Sequence, residues 1–196
     1  MKRAYEFFSL HDLLTMAALA ALGGLSSAVL SMVRFAVHAV VVLPGAFQFL
    51  AGLHVLWLIL AIGIIGRPGA ATVTALLKGG VEFLSGNPHG LLVLAYTVFA
   101  GIAVDATWLM LGRSHNRVTY ALAGGFGATS NLLVLTLVVS LPAKGGVVAG
   151  LAILVGAAFV SGVVFAGLLA WWLLEVLHRA GVISARSPSG PITSRL

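Results

Sequence analysis

Cysteine is absent from this sequence, which removes disulfides, thiolate metal ligands and cysteine nucleophiles from consideration. Charge is scarce as well: acidic and basic residues make up 8% of the chain, where soluble domains carry about a quarter. There is no GxxxxGK[ST] phosphate loop, no GxSxG elbow, no HExxH pair and no pair of carboxylates at short spacing. No catalytic residue, metal site or cofactor is therefore expected. The pI near 10.6 has no basic cluster with interleaved aromatics behind it, so a nucleic-acid partner is not expected either.

What the chain does have is hydrophobicity. It is 60% hydrophobic with 24 glycines, and its mean hydropathy is +1.11. In water such a chain would leave a large apolar surface bare, so it reads as an integral membrane protein. A span needs roughly 20 apolar residues. Six candidates satisfy this: Leu13 to Val33, Phe47 to Ile65, Gly69 to Gly86, Leu91 to Leu111, Val118 to Leu141, and Val147 to Leu177. Between them lie Gly, Pro and Asn breaks such as Gly66-Arg67-Pro68-Gly69 and Gly86-Asn87-Pro88. Backbone groups in lipid must be satisfied internally, so the spans are expected to be helices, giving an all-α bundle of six transmembrane helices.

The first apolar stretch follows Lys2 and Arg3 as a signal peptide would, but it is long enough to span and more spans follow, so it reads as a retained helix. The segment from Arg34 to Leu43 is too short to span and reads as re-entrant or interfacial rather than as part of a helix. With the N-terminus inside, eight Lys and Arg residues lie on the inner side, and only Arg34 and Lys144 on the outer. This places both termini in the cytoplasm of a multi-pass cell-membrane protein. Residues 1–186 are expected to form the transmembrane domain and 187–196 a disordered tail.

Inside the third span, Lys78 and Glu82 share a face with Ala71, Ala75, Gly79 and Gly86. Small residues allow close helix approach, so this face should point into the bundle. A charge there costs about 2.5–3.5 kcal/mol on insertion scales and needs a partner. Two readings stand. The pair neutralises itself at helical spacing, or Glu82 receives hydrogen bonds from a ligand while Lys78 orients it. Asn131 sits among Gly124, Gly127 and Ala128 on the fifth span and would either bind a ligand or stitch two helices together.

His54 reads as a satisfied core histidine or a ligand contact, and Trp57 beside it as core packing or a stacking platform. Asn87 and His89 lie in the outer loop beside any externally open pocket, and His38 lies in the segment that could close over it. Gln48 and Tyr96 at outer helix ends could line it, with Tyr96 alternatively an interface anchor. Asp105 and Glu175 are expected to cap, snorkel or pair, and Trp108, Trp171 and Trp172 to form an inner aromatic belt. On the first helix, Ala17, Ala21 and Gly24 form a ridge of small residues suited to a partner helix or to intramolecular packing.

The stretch RPGAATVTALLKGGVEFLSGNPHG, Arg67 to Gly90, resembles the third-helix region of YkoE-type S components, the substrate-binding subunits of energy-coupling factor (ECF) vitamin transporters. Helix number and chain length agree with the resemblance, and its motif covers about an eighth of the chain. It implies an outward-open site for thiamine or a thiamine precursor, with Glu82 as the acidic residue before the glycine-containing helix end. It also implies a transmembrane coupling protein that contacts Ala17 and Ala21, and two cytoplasmic ATPases. Ala75, where the resemblance implies a second acid, and Lys78, where it implies no lysine, depart from the pattern and leave room for a pyrimidine precursor or another small vitamin. Lys78 would repel the thiazolium of thiamine unless Glu82 holds it. The rival functions are a self-contained channel or proton-coupled carrier using Lys78, Glu82 and Asp105 as a relay, and a scaffold subunit that binds no small molecule.

Overall fold

The computed structural model describes residues 8–38, 50–87, 90–138 and 145–183, and among these there are helices and connections but no strand. The helices are α1 (Leu10–His38), α2 (Ala51–Ile65), α3 (Ala70–Leu84), α4 (Leu92–Met110), α5 (Arg117–Val138) and α6 (Gly145–Ser161), which runs through a π-helical segment (Gly162–Leu168) into α7 (Leu169–Arg179). Among the described residues three stretches are long and apolar enough to cross a membrane: Leu10–Ser31, Leu92–Met110 and Val148–Arg179. The expected tail at 187–196 lies outside the described residues, as do Gln48 and His89.

Two expectations about these elements are corrected. Arg34 to His38, expected to fall outside a helix, form the end of α1. No Gly or Pro stands between Gly24 and Pro44, so nothing in the sequence breaks the helix there. The last span is not uniformly α-helical, because seven residues at its centre take the wider π turn.

The π segment coincides with a close backbone contact between helices. A Cβ on Gly124 of α5 would collide with the carbonyl oxygen of Gly162 and approach the Gly167 nitrogen to 2.7 Å. Small residues on both sides thus let the two backbones touch, which is how helices gain packing energy in lipid. The α3–α4 contact works likewise: a Cβ on Gly101 would come within 2.7 Å of Ala75 Cβ. Apolar on all its faces, α2 occupies the middle, with ten of its residues buried against α1, α3, α5, α7 and the π segment.

Helix starts buried in such a bundle must find acceptors for their free amides. At α2 the Gly52 amide donates to Ser161 Oγ of α6 at 3.0 Å. At α3, whose cap residue Gly69 has no side chain, Asp105 of α4 accepts from the Thr72 amide at 2.8 Å, the Thr72 hydroxyl at 2.6 Å and the Ala71 amide at 3.4 Å. A carboxylate there also meets the positive end of the helix dipole. The capping role expected of Asp105 is what the geometry gives.

At the same end of the bundle, Ser9 and Asp12 cap α1 reciprocally at 3.1 Å each. Asp12 also pairs with Arg67 Nε at 3.6 Å. Glu175 pairs with Arg179. Trp108 is corrected from belt residue to core residue: it is buried against His115, whose Nδ1 meets the Tyr120 hydroxyl at 2.5 Å. Burial first, and then the nearby His178, hold the His115 pKa below its ordinary value.

Replacing Asp105 by Ala should orphan these buried donors, a loss of about 1–3 kcal/mol per group. A clear drop in the thermal midpoint of the detergent-solubilised protein is the expected outcome, and an unchanged midpoint would count against cross-helix capping.

Candidate functional site

Where α3 ends, its sequence dictates the local geometry. Gly86 takes φ 76°, a left-handed conformation that glycine adopts without strain. Its amide donates to the Phe83 carbonyl at 3.1 Å, and the Asn87 amide to the Glu82 carbonyl at 3.2 Å. This is a Schellman stop, and it folds Asn87 back over the last turn of the helix. Asn87 Nδ2 then lies 3.5 Å from Glu82 Oε2, while Glu82 Oε1 receives the Lys78 ammonium. Lys78 is 1% exposed and Glu82 4%, so this ion pair is buried within the bundle.

The pair needs a neighbour without a side chain. A Cβ on Gly23 of α1 would lie 3.0 Å from both Lys78 Cδ and Trp57 Cδ1, so the lysine stem and the indole occupy the space that Gly23 leaves open. Trp57 Nε1 donates to Ser26 Oγ at 3.0 Å. Gly24 faces inward too, against Val81.

Lys78, Glu82 and Asn87 line a cavity of about 290 Å³ at the end of the bundle where α1 and α3 finish and α2 and α4 begin. From α2 it takes Ala51, His54, Val55 and Leu58; from α4, Val93, Tyr96, Thr97 and Ala100; from α5, Asn131 and Leu132; and from α1, Leu30 and Ser31. Asn131 Oδ1 is enclosed and has no hydrogen-bond partner. Among the described residues nothing bonds to that oxygen, so it stitches no helix to α5 there. His54 lies in the first turn of α2 rather than at mid-span, with Nδ1 2.8 Å from Ser27 Oγ. It is both satisfied and cavity-lining.

Of the residues singled out in the sequence, Glu82, Lys78, Asn131, His54, Tyr96 and Asn87 are thus brought together around one cavity. Trp57 is not on its wall. The small-residue ridge of α1 divides: Ala17 and Ala21 are exposed, and Gly24 is buried against α3. Ser27, Ser31 and Thr97 were not singled out. Ser27 and Ser31 stand four residues apart on α1, a spacing that puts two hydroxyls on one face, but small hydroxyls in a membrane helix commonly bond to their own backbone and so give a weak signal. Thr97 does bond back in this way, to the Val93 carbonyl at 3.0 Å.

Chemically the cavity offers one paired carboxylate with its second oxygen only loosely held, one unpaired amide oxygen, an imidazole, a phenol and an apolar wall. That set suits a small ring bearing hydrogen-bond donors. Among the described residues, no group of three or more His, Cys, Asp or Glu side chains could hold a metal ion.

Residues 11–130 match the family described as "ABC-type cobalt transport system, permease component". The match takes in more than half of the chain, and the protein belongs to this family. A relative from Bacillus subtilis (strain 168), carrying the name HMP/thiamine permease protein YkoE, is 27% identical over 145 residues, which are 72% of this chain and 70% of that protein. The fold is that of a solved S component of an ECF transporter, with a TM-score of 0.78 at 23% identity over 89% of this chain and 88% of the other. The resemblance to YkoE-type S components read from Arg67 to Gly90 is borne out. Together with its three membrane-crossing stretches, this makes the chain a multi-pass membrane protein of the cell membrane.

Removing one member of a buried ion pair leaves the other uncompensated, at a cost of about 3–5 kcal/mol, whereas replacing both by uncharged side chains of similar size is close to neutral. Lys78→Met should therefore lower the thermal midpoint sharply, and the double variant Lys78→Met/Glu82→Gln should restore most of it. A double variant as unstable as the single one would contradict the pairing.

Proposed function

We propose that this chain is the substrate-binding membrane subunit of an ECF-type ABC transporter that imports thiamine or a thiamine precursor. The observation that carries the reading is the cavity itself. At one end of an S-component fold, a buried carboxylate and an unpartnered amide oxygen face the same small space. The name of the Bacillus subtilis relative supports the ligand class. Although the family is named for cobalt, the donor set around this cavity favours an organic ring over a divalent cation.

In this reading, residues 1–186 form one domain that crosses the membrane six times, residues 187–196 are a tail, and both termini lie in the cytoplasm. The cavity then opens to the outside. Glu82 accepts hydrogen bonds from the ring's amino group, Asn131 accepts another, and Tyr96 and His54 close the sides. The chain itself hydrolyses nothing. ATP is consumed by two cytoplasmic ATPase subunits, which act through a transmembrane coupling protein. The exposed Ala17 and Ala21 on α1 suit close approach by that coupling protein, whereas Gly24 is taken up by α3. Asp105 is committed to the start of α3, which argues against a proton relay through Lys78, Glu82 and Asp105.

Titration of the purified protein with thiamine and with its hydroxymethylpyrimidine precursor, followed by tryptophan fluorescence, should give saturable binding of at least one of them. Glu82→Gln should weaken that binding about tenfold or more, as loss of a hydrogen bond to a charged group requires. Binding unchanged in Glu82→Gln would remove Glu82 from the site.

A further inference from the structure

We propose that Lys78 makes this site selective for a neutral amino-substituted heteroaromatic ring over a ring bearing a fixed positive charge. This rests on the ligand reading above and narrows it. Lys78 and Glu82 are the only formally charged side chains among the described residues that line the cavity, and they are bonded to each other. The cavity therefore presents no net negative charge to a cation. A quaternary ring entering it would meet a closed ion pair in place of an unpaired carboxylate, so no counter-charge there offsets the loss of its hydration.

Glu82 cannot turn away from Lys78 to serve a cation without leaving the ammonium buried and unpaired. A neutral ring makes no such demand. It can donate an amino hydrogen to Glu82 Oε2, which among the described residues holds only the 3.5 Å contact from Asn87, and a second hydrogen to Asn131 Oδ1, which has no hydrogen-bond partner. The ion pair stays in place throughout.

The test compares two probes on the full-length protein in detergent: thiamine, which carries a thiazolium, and its neutral hydroxymethylpyrimidine half. Equilibrium binding should favour the neutral compound by about tenfold or more. Lys78→Met should collapse or reverse that ratio by improving the cation. Because that variant is expected to be destabilised, Asn131→Asp serves as an independent probe: it keeps the ion pair and adds a carboxylate to the same cavity, and it too should shift the ratio toward thiamine. Preference of the parent protein for thiamine would overturn the inference while leaving the transporter reading intact, and so would a ratio that neither variant moves. Binding of neither compound would overturn the ligand reading itself, and this inference with it.

Discussion

A lysine and a glutamate buried among membrane helices must satisfy one another, and much of the site follows from that requirement. Their spacing on α3 lets them meet without distorting the helix. Gly23 on α1 gives the lysine stem its room. The Schellman stop one turn later returns Asn87 to the free side of the carboxylate. What remains, among the described residues, is a cavity wall in which the charges are matched and the Asn131 amide oxygen is not. In a low-dielectric interior an unsatisfied acceptor is costly, and a ligand that donates to it would recover that cost on binding.

The scaffold obeys the same rule at its helix ends. Buried helix starts have no water to bond their first amides. In this bundle the acceptors come from other helices, Ser161 for α2 and Asp105 for α3. Each bond does two tasks, ending a helix and fixing its position relative to a neighbour. Glycine contacts complete the arrangement, because Gly124 against Gly162 brings α5 so close to the last helix that only backbone fits between them. This contact is also where the last helix departs from α geometry.

Much of this was legible in the sequence, for physical reasons. Hydropathy and turn residues located the helices, because lipid permits little else. The three- and four-residue spacing on α3 located the inward face, and its ion pair followed from charge. Asn131 was legible as a polar group on a small-residue face, but whether it met a helix or a cavity depends on packing that no local pattern encodes. The same holds for Gly24, whose partner is Val81 on another helix. Trp108 looked like an interface residue from its place near a helix end, yet the turn of α4 directs it into the core. The π segment left no trace in composition, although Gly162 and Gly167 within it pack closely on α5.

The central claim is that the cavity between Glu82 and Asn131 is where the transported molecule sits. An experimental structure of the full-length protein with hydroxymethylpyrimidine bound tests this most directly. The account predicts ligand density in that cavity, with the ring's amino group within hydrogen-bond reach of Glu82 Oε2 and a second donor at Asn131 Oδ1. A ligand bound elsewhere, with the cavity still closed around an undisturbed Asn131, would contradict it.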